Sequence, residues 1–151
     1  MPIQLDDRLV ERKISGWLPD FAQYSDQQWQ NLDFSAAAGE TIRQVQQRYL
    51  NFMTALPEDA HVAIGSHGTA MSSVVEAAWP EHGQAFFKRI PFAAVIRITM
   101  TAGKIDSVEV PMAFSTLEKT ADVNVASSQK RVSQAPVIYL NNQLNIDNAN
   151  Y

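Results

Sequence analysis

The clearest hydrophobic pattern runs from Ile42 to Leu56. Ile42, Val45, Tyr49, Phe52, Met53 and Leu56 recur at spacings of three and four, which is one apolar stripe of an α-helix. Arg43, Gln44, Gln47 and Arg48 fall elsewhere on its circumference, where Arg48 is suited to bracing a loop. Thr41 is the expected N-cap, and Pro57 closes the helix because the residue before a proline avoids helical geometry. Next, His61-Val62-Ala63-Ile64-Gly65-Ser66 is a short apolar run without alternation, as in a strand buried on both faces. His67-Gly68 breaks it. Helical spacing then resumes from Thr69 to Trp79 through Met71, Val74, Val75 and Ala78, until Pro80. Helix, buried strand, tight turn and helix together are the grammar of an α/β protein.

Outside this centre the pattern is less regular. Residues 1–35 show no sustained period, and one short helix is expected there, capped by Ser25 and running through Leu32. Another short helix is expected over Gly83 to Arg89. Ala94–Met100 and Lys104–Val110 read as strands, and the glycine-containing link Thr101-Ala102-Gly103 makes them a hairpin. Met71, Trp79, Phe86 and Phe87 are expected in the core. Beyond Pro111 the character changes. Residues 113–151 contain no glycine, are rich in Asn, Ser and Gln, and hold one apolar cluster, Val137-Ile138-Tyr139-Leu140. The expected division is a domain over 1–111 and a polar extension over 112–151, partly disordered, with that cluster able to pair as a strand.

Composition narrows the function classes. The 151 residues suit one domain, and 46% apolar with 19% charged residues is globular composition. Cysteine is absent, which excludes disulfides, thiol catalysis, thiolate zinc sites and iron–sulfur clusters. Twelve basic against sixteen acidic residues leave a charge of −4, and the densest basic points are the pairs Arg12-Lys13, Lys88-Arg89 and Lys130-Arg131. No nucleic-acid partner is expected, because neutralising phosphates needs clustered cations. No apolar run approaches the ~20 residues that span a bilayer. The N-terminus also lacks a basic region followed by an apolar one, so no secretory signal and no membrane partner are expected, and the expected location is cytoplasmic. The three histidines are spaced by six and fifteen residues, which fits no compact metal pair, and neither metal nor cofactor is expected.

The chemistry-bearing stretch is Ser66-His67-Gly68-Thr69. Ligands of open α/β sheets bind beyond the carboxyl ends of strands, where helix N-termini present free N–H groups. A histidine there can donate to an anionic oxygen, Gly68 lets backbone approach closely, and the helix favours negative charge by roughly 0.3–1 kcal/mol. A capping histidine on a tight turn fits these four residues equally well. Gly65-Ser66-His67-Gly68 is not the Gly-x-Ser-x-Gly elbow of a serine hydrolase. Earlier, Arg8-Leu9-Val10-Glu11-Arg12-Lys13-Ile14-Ser15-Gly16-Trp17 is a charged loop with apolar anchors. Its plain meaning is a solvated surface; drawn into a cleft, Glu11 becomes a candidate general acid.

Taken in order, three segments resemble the histidine phosphatase superfamily, which includes the cofactor-dependent phosphoglycerate mutases. Leu9, Glu11, Arg12 and Trp17 fit its Leu-x-Glu-Arg-x-x-Gly-x-Trp pattern, with Ser15 at the glycine position and Gly16 one place later. Gly39-Glu40-Thr41 stands for Gly-Glu-Ser, Arg48 for the helix arginine, and Ser66-His67-Gly68 is intact. Pro91 before a strand resembles the family's Pro-Asn segment, with Phe92 in place of asparagine. The likeness covers about residues 5–111. It implies a three-layer α/β/α phosphoglycerate mutase-like fold, incomplete here, with a mostly parallel sheet and a C-terminal hairpin. It also implies phosphoryl transfer through a phosphohistidine, with His67 as the second pocket histidine and Glu11 as general acid and later base. Backbone N–H groups of Gly68 and Thr69 are the expected phosphate donors on the helix-terminus argument.

One departure changes the expectation. The family's nucleophile lies in Arg-His-Gly on a first strand beside the strand ending at Ser66, and none of His61, His67 and His82 follows an arginine. Residues 113–151 supply no histidine either, so a permuted motif is absent. Three origins fit: a chain whose start was lost, a sheet refilled by another chain or by Val137–Leu140, or a degenerate member that binds without turnover. The first is the favoured origin. The expected function is a family domain, ancestrally a phosphomonoester hydrolase or mutase, with little or no activity in this chain. The alternative is a non-catalytic phospho-ligand-binding or assembly module. Expected partners are a small phosphorylated substrate or ligand and, through the incomplete sheet, a second copy.

Overall fold

A computed structural model describes residues 3–36, 38–110 and 137–142. After a single 3-10 turn at Asp7–Leu9, the elements are α1 (Phe21–Gln30), α2 (Ile42–Thr54), β1 (His61–Ser66), α3 (Gly68–Ala78), α4 (Gly83–Phe87), β2 (Val95–Thr101), β3 (Lys104–Glu109) and β4 (Val137–Asn142). The expected cap of α1 is corrected. Asp20, not Ser25, accepts from the Gln23 N–H at 2.8 Å, and the helix begins at Phe21 while Ser25 is buried within it. Thr41 caps α2 as expected and forms a full capping box with Gln44.

The sheet has four strands in the order β1-β4-β2-β3. β4 runs parallel to β1, with His61 level with Val137 and Ser66 with Asn142, and antiparallel to β2. The hairpin β2–β3 is antiparallel, as its short link demands, and Ala102 and Gly103 both hold positive φ in the turn. The sheet is therefore mixed rather than mostly parallel, because the hairpin forces one antiparallel pair and insertion of β4 beside β2 makes another. The strand-forming segment of the tail stands beside β1, where the resemblance puts the family's Arg-His-Gly strand. The expectation of partial disorder elsewhere in 112–151 falls outside the described residues.

One face of the sheet carries the core. Ile64, Ile138, Leu140, Ile96, Ile98, Met100 and Val108 pack with Val45, Tyr49 and Met53 of α2, Met71, Val74 and Val75 of α3, and Phe86 of α4. Strand alternation then turns Ala63, Gly65 and Tyr139 to the other face, where they are exposed. The expectation that β1 is buried on both faces is thus corrected, and the third layer of the expected fold is not among the described residues. Met71 and Phe86 are core as expected, but Trp79 is 38% exposed because it follows the last turn of α3. At the edges, β3 carries Lys104, Asp106 and Glu109, whereas β1 carries no Lys, Arg, Asp or Glu.

The helices lock to one another at Gly83. Its N–H donates to Glu76 Oε2 at 2.7 Å, and a Cβ there would lie 2.7 Å from both Glu76 Cβ and Trp29 Cζ3. Neither is the free end of a flexible chain, since Trp29 is itself packed on Phe87. Gly83→Ala should therefore cost about 1–3 kcal/mol as overpacking, read as a fall in the chemical-denaturation midpoint; an unchanged midpoint would contradict this packing.

Candidate functional site

His67 is the last extended residue after β1 and the N-cap of α3; its ring makes no capping hydrogen bond and is half-buried. Thr69 is buried, and its N–H donates to Glu11 Oε2 at 3.4 Å. The early loop and the strand tip are thus brought together across 58 residues. Glu11 also accepts from the Arg12 N–H through Oε1 at 2.6 Å. At this helix start, Glu11 occupies one of the N–H groups expected for a phosphate. Gly68 has no positive φ, and an added Cβ would meet only ordinary contacts with Phe87 and Ile90 at 3.9 and 4.0 Å. The chain itself therefore does not demand glycine there.

What holds Glu11 in place is a clamp built on α2. Arg48 forms a two-pronged ion pair with Glu40, Nε to Oε1 at 2.9 Å and Nη2 to Oε2 at 3.0 Å. The same guanidinium donates to the carbonyls of Arg8 at 2.7 Å, Val10 at 2.6 Å and Glu11 at 3.0 Å. Glu40 in turn accepts from the Lys13 N–H at 2.8 Å, and its own N–H donates to the Lys13 carbonyl at 2.8 Å. Gly39 fits because a Cβ would press to 3.3 Å on that carbonyl. Burial tends to raise the Glu40 pKa, but the hydrogen bonds from Arg48 and Lys13 outweigh it and hold the carboxyl below its ordinary value. Arg48 braces the loop, as its place on the helix suggested.

A second tie runs through Tyr49. Its hydroxyl donates to the Leu9 carbonyl at 2.6 Å and accepts from Ser66 Oγ at 3.1 Å, joining loop, helix and strand tip. Burial pushes its pKa up to about 12, so it remains a donor at any physiological pH. The third tie is Gln28, which is fully buried. Its amide donates to the Phe34 and Glu40 carbonyls at 2.9 Å each and accepts from Arg12 Nη1. Arg12 is itself buried, with its guanidinium near the Phe21 and Tyr24 rings, and burial lowers its pKa. Neither Gln28 nor Tyr49 carries a sequence signal for this role: one reads as a helix's polar side, the other as core.

The remaining candidates lie elsewhere. His61 is exposed at the opposite end of β1, and His82 holds the Pro80 carbonyl at 2.9 Å through Nδ1 beyond the far end of α3. Phe92 is 61% exposed in the turn before β2. A cavity of about 390 Å³ lined by Met53, Leu56, Glu58, Met100 and Gly103 sits at the other end of the sheet from His67. Among the described residues, no three His, Asp or Glu side chains gather as a metal site, and no helix is long and apolar enough to cross a membrane.

The segments carrying Glu11, Glu40, Arg48 and His67 thus form one connected structure. A family model described as histidine phosphatase superfamily (branch 1) matches residues 1–111. No curated protein and no solved structure matches the chain. That family match takes in the clamp and the strand tip and leaves β4 outside, and on it the chain belongs to the histidine phosphatase superfamily.

Proposed function

We propose that this chain binds a small phosphorylated molecule at the carboxyl end of β1 with little or no phosphoryl turnover. The observation carrying this reading is that the Glu11 carboxylate meets the Thr69 N–H beside the half-buried imidazole of His67. There, His67 donates to a phosphoryl oxygen, the Gly68 N–H faces the same anion, and the anion reaches the Thr69 N–H by displacing Glu11 from it.

Turnover through a phosphohistidine needs a nucleophilic imidazole in line with the phosphorus. His61 stands a full strand away, and His82 lies beyond the eleven residues of α3, about 16 Å of helix. Arg12 is buried with Nη1 on Gln28, and Arg48 is engaged by Glu40, so neither reaches out to grip a dianion two-handed. A cytoplasmic location belongs to the same reading and is supported by the absence of cysteine.

The test is titration with inorganic phosphate followed by calorimetry, beside hydrolysis of p-nitrophenyl phosphate. His67→Ala should weaken binding about tenfold, the scale of one hydrogen bond to a charged group. Glu11→Gln should tighten it about tenfold, because a like charge near the anion is removed. Hydrolysis should stay at background. Phosphate release abolished by His67→Ala would overturn the absence of turnover, and unchanged binding in His67→Ala would overturn the site.

A further inference from the structure

The cleft of about 390 Å³ at the other end of the sheet from His67 has no part in the phosphate reading, and its volume suits a small molecule. Met53, Thr54 and Leu56 line it from the end of α2, Met100 and Gly103 from β2 and its turn, and Glu58 from the link to β1. Met53 and Met100 are held in the core, so they give the cleft an apolar, polarisable floor. Its polar side chains are all acceptors. Thr54 Oγ1 donates its proton to the Leu50 carbonyl at 2.9 Å, which leaves it only lone pairs to offer. Glu58 is an exposed carboxylate, and no ion pair among the described residues uses it. It lies just past the carboxyl end of α2, where the helix dipole disfavours an anion and favours a cation. The last turn of α2 carries no basic residue to meet that need, and Asp59 adds a second negative charge beside Glu58.

We infer that this cleft binds a primary alkylammonium ion, with its chain on Met53, Leu56 and Met100 and its charge on Glu58. The three N–H donors of a primary ammonium match a carboxylate, a spent hydroxyl and the negative end of a helix. A quaternary ammonium has no such donors, and none of the described lining residues is an aromatic ring over which it could rest.

Hexylammonium is the probe, titrated into the full chain with isotope-labelled methionine methyl groups and followed by NMR. The Met53 and Met100 methyl resonances should shift and saturate, while that of Met71, outside the cleft, stays still. Hexanol, the neutral counterpart, should bind about fivefold more weakly, the upper end for one solvent-exposed ion pair. Glu58→Gln should lower hexylammonium affinity by about the same factor and leave that of hexanol unchanged. Both differences should shrink at high salt. Hexyltrimethylammonium should bind more weakly than hexylammonium. Glu58 is exposed, so its replacement should leave the thermal midpoint in place, and the comparison of amine with alcohol needs no variant at all. Equal affinity for hexylammonium and hexanol, or no loss in Glu58→Gln, overturns the cation site. Methyl resonances of Met53 and Met100 that do not respond overturn the cleft as a binding site altogether.

Discussion

Deleting residues 137–151 should abolish cooperative unfolding of this protein, although the deletion lies wholly outside the family match. β4 is the only strand paired with β1 among the described residues, and it also pairs with β2. Its loss leaves two rows of backbone groups without partners in the middle of the sheet, and buried groups of that kind cost free energy individually. It also removes Ile138 and Leu140, both fully buried in the core. Each is worth about 2–5 kcal/mol by the usual cost of truncating such a side chain. Together they reach the about 5–15 kcal/mol that holds a typical domain folded. The milder Ile138→Ala should still unfold cooperatively, about 2–5 kcal/mol less stable. Circular dichroism during thermal and urea unfolding separates the outcomes. A chain ending at residue 136 that melts cooperatively within a few degrees of the full chain would show that β4 is dispensable. It would also leave β1, and His67 at its tip, attached to the sheet by something other than β4.

That dependence was only half visible in the amino-acid pattern. Val137–Leu140 has strand character by itself, but the strands it joins lie 76 residues away at β1 and about forty away at β2, and leave no local mark. Burial with a steady period was the readable part. The stripe of α2, the run ending at Ser66 and the spacing of α3 each appear where their periods put them. Errors arose where a pattern had two physical meanings. Ala63 and Gly65 look like the small residues of a doubly buried strand, yet they are small residues on an open face. Ser25 and Asp20 both offer a capping oxygen, and Phe21, 47% exposed, adds too little burial to mark the true start. At the site, the resemblance to the histidine phosphatase motifs brought Glu11, Glu40, Arg48 and His67 into view as separate segments. The ties through Gln28 and Tyr49 were hidden, because a polar group satisfied inside the protein looks in sequence like one facing water, and a tyrosine on a core stripe shows nothing of its hydroxyl.

Arg48→Ala should cost about 3 kcal/mol, the lower end for removing one partner of a buried ion pair. The lower end applies because Arg48 and Glu40 side chains keep 15% and 17% of their exposure. The loss has two parts: Glu40 is left without its cation, and three loop carbonyls lose their shared donor. At this chain length the expected fall in thermal midpoint is about 10 °C. Lysine cannot replace the planar fork, so Arg48→Lys should recover less than half of it. The pH dependence follows from Glu40, whose folded pKa is below the ordinary value of 4.5. A depressed carboxyl contributes stability that is full above 4.5 and lost as pH falls through the lower folded value. The wild-type advantage over Arg48→Ala should therefore be level near neutrality and shrink in acid. It should not vanish, since protonating Glu40 leaves the bonds from Arg48 to the loop carbonyls intact. The reading specific to the site is the Thr69 amide resonance, because that N–H meets the carboxylate the clamp positions. If Arg48→Ala leaves both this resonance and phosphate affinity unchanged while stability falls, the clamp supports the fold and Glu11 finds its place without it.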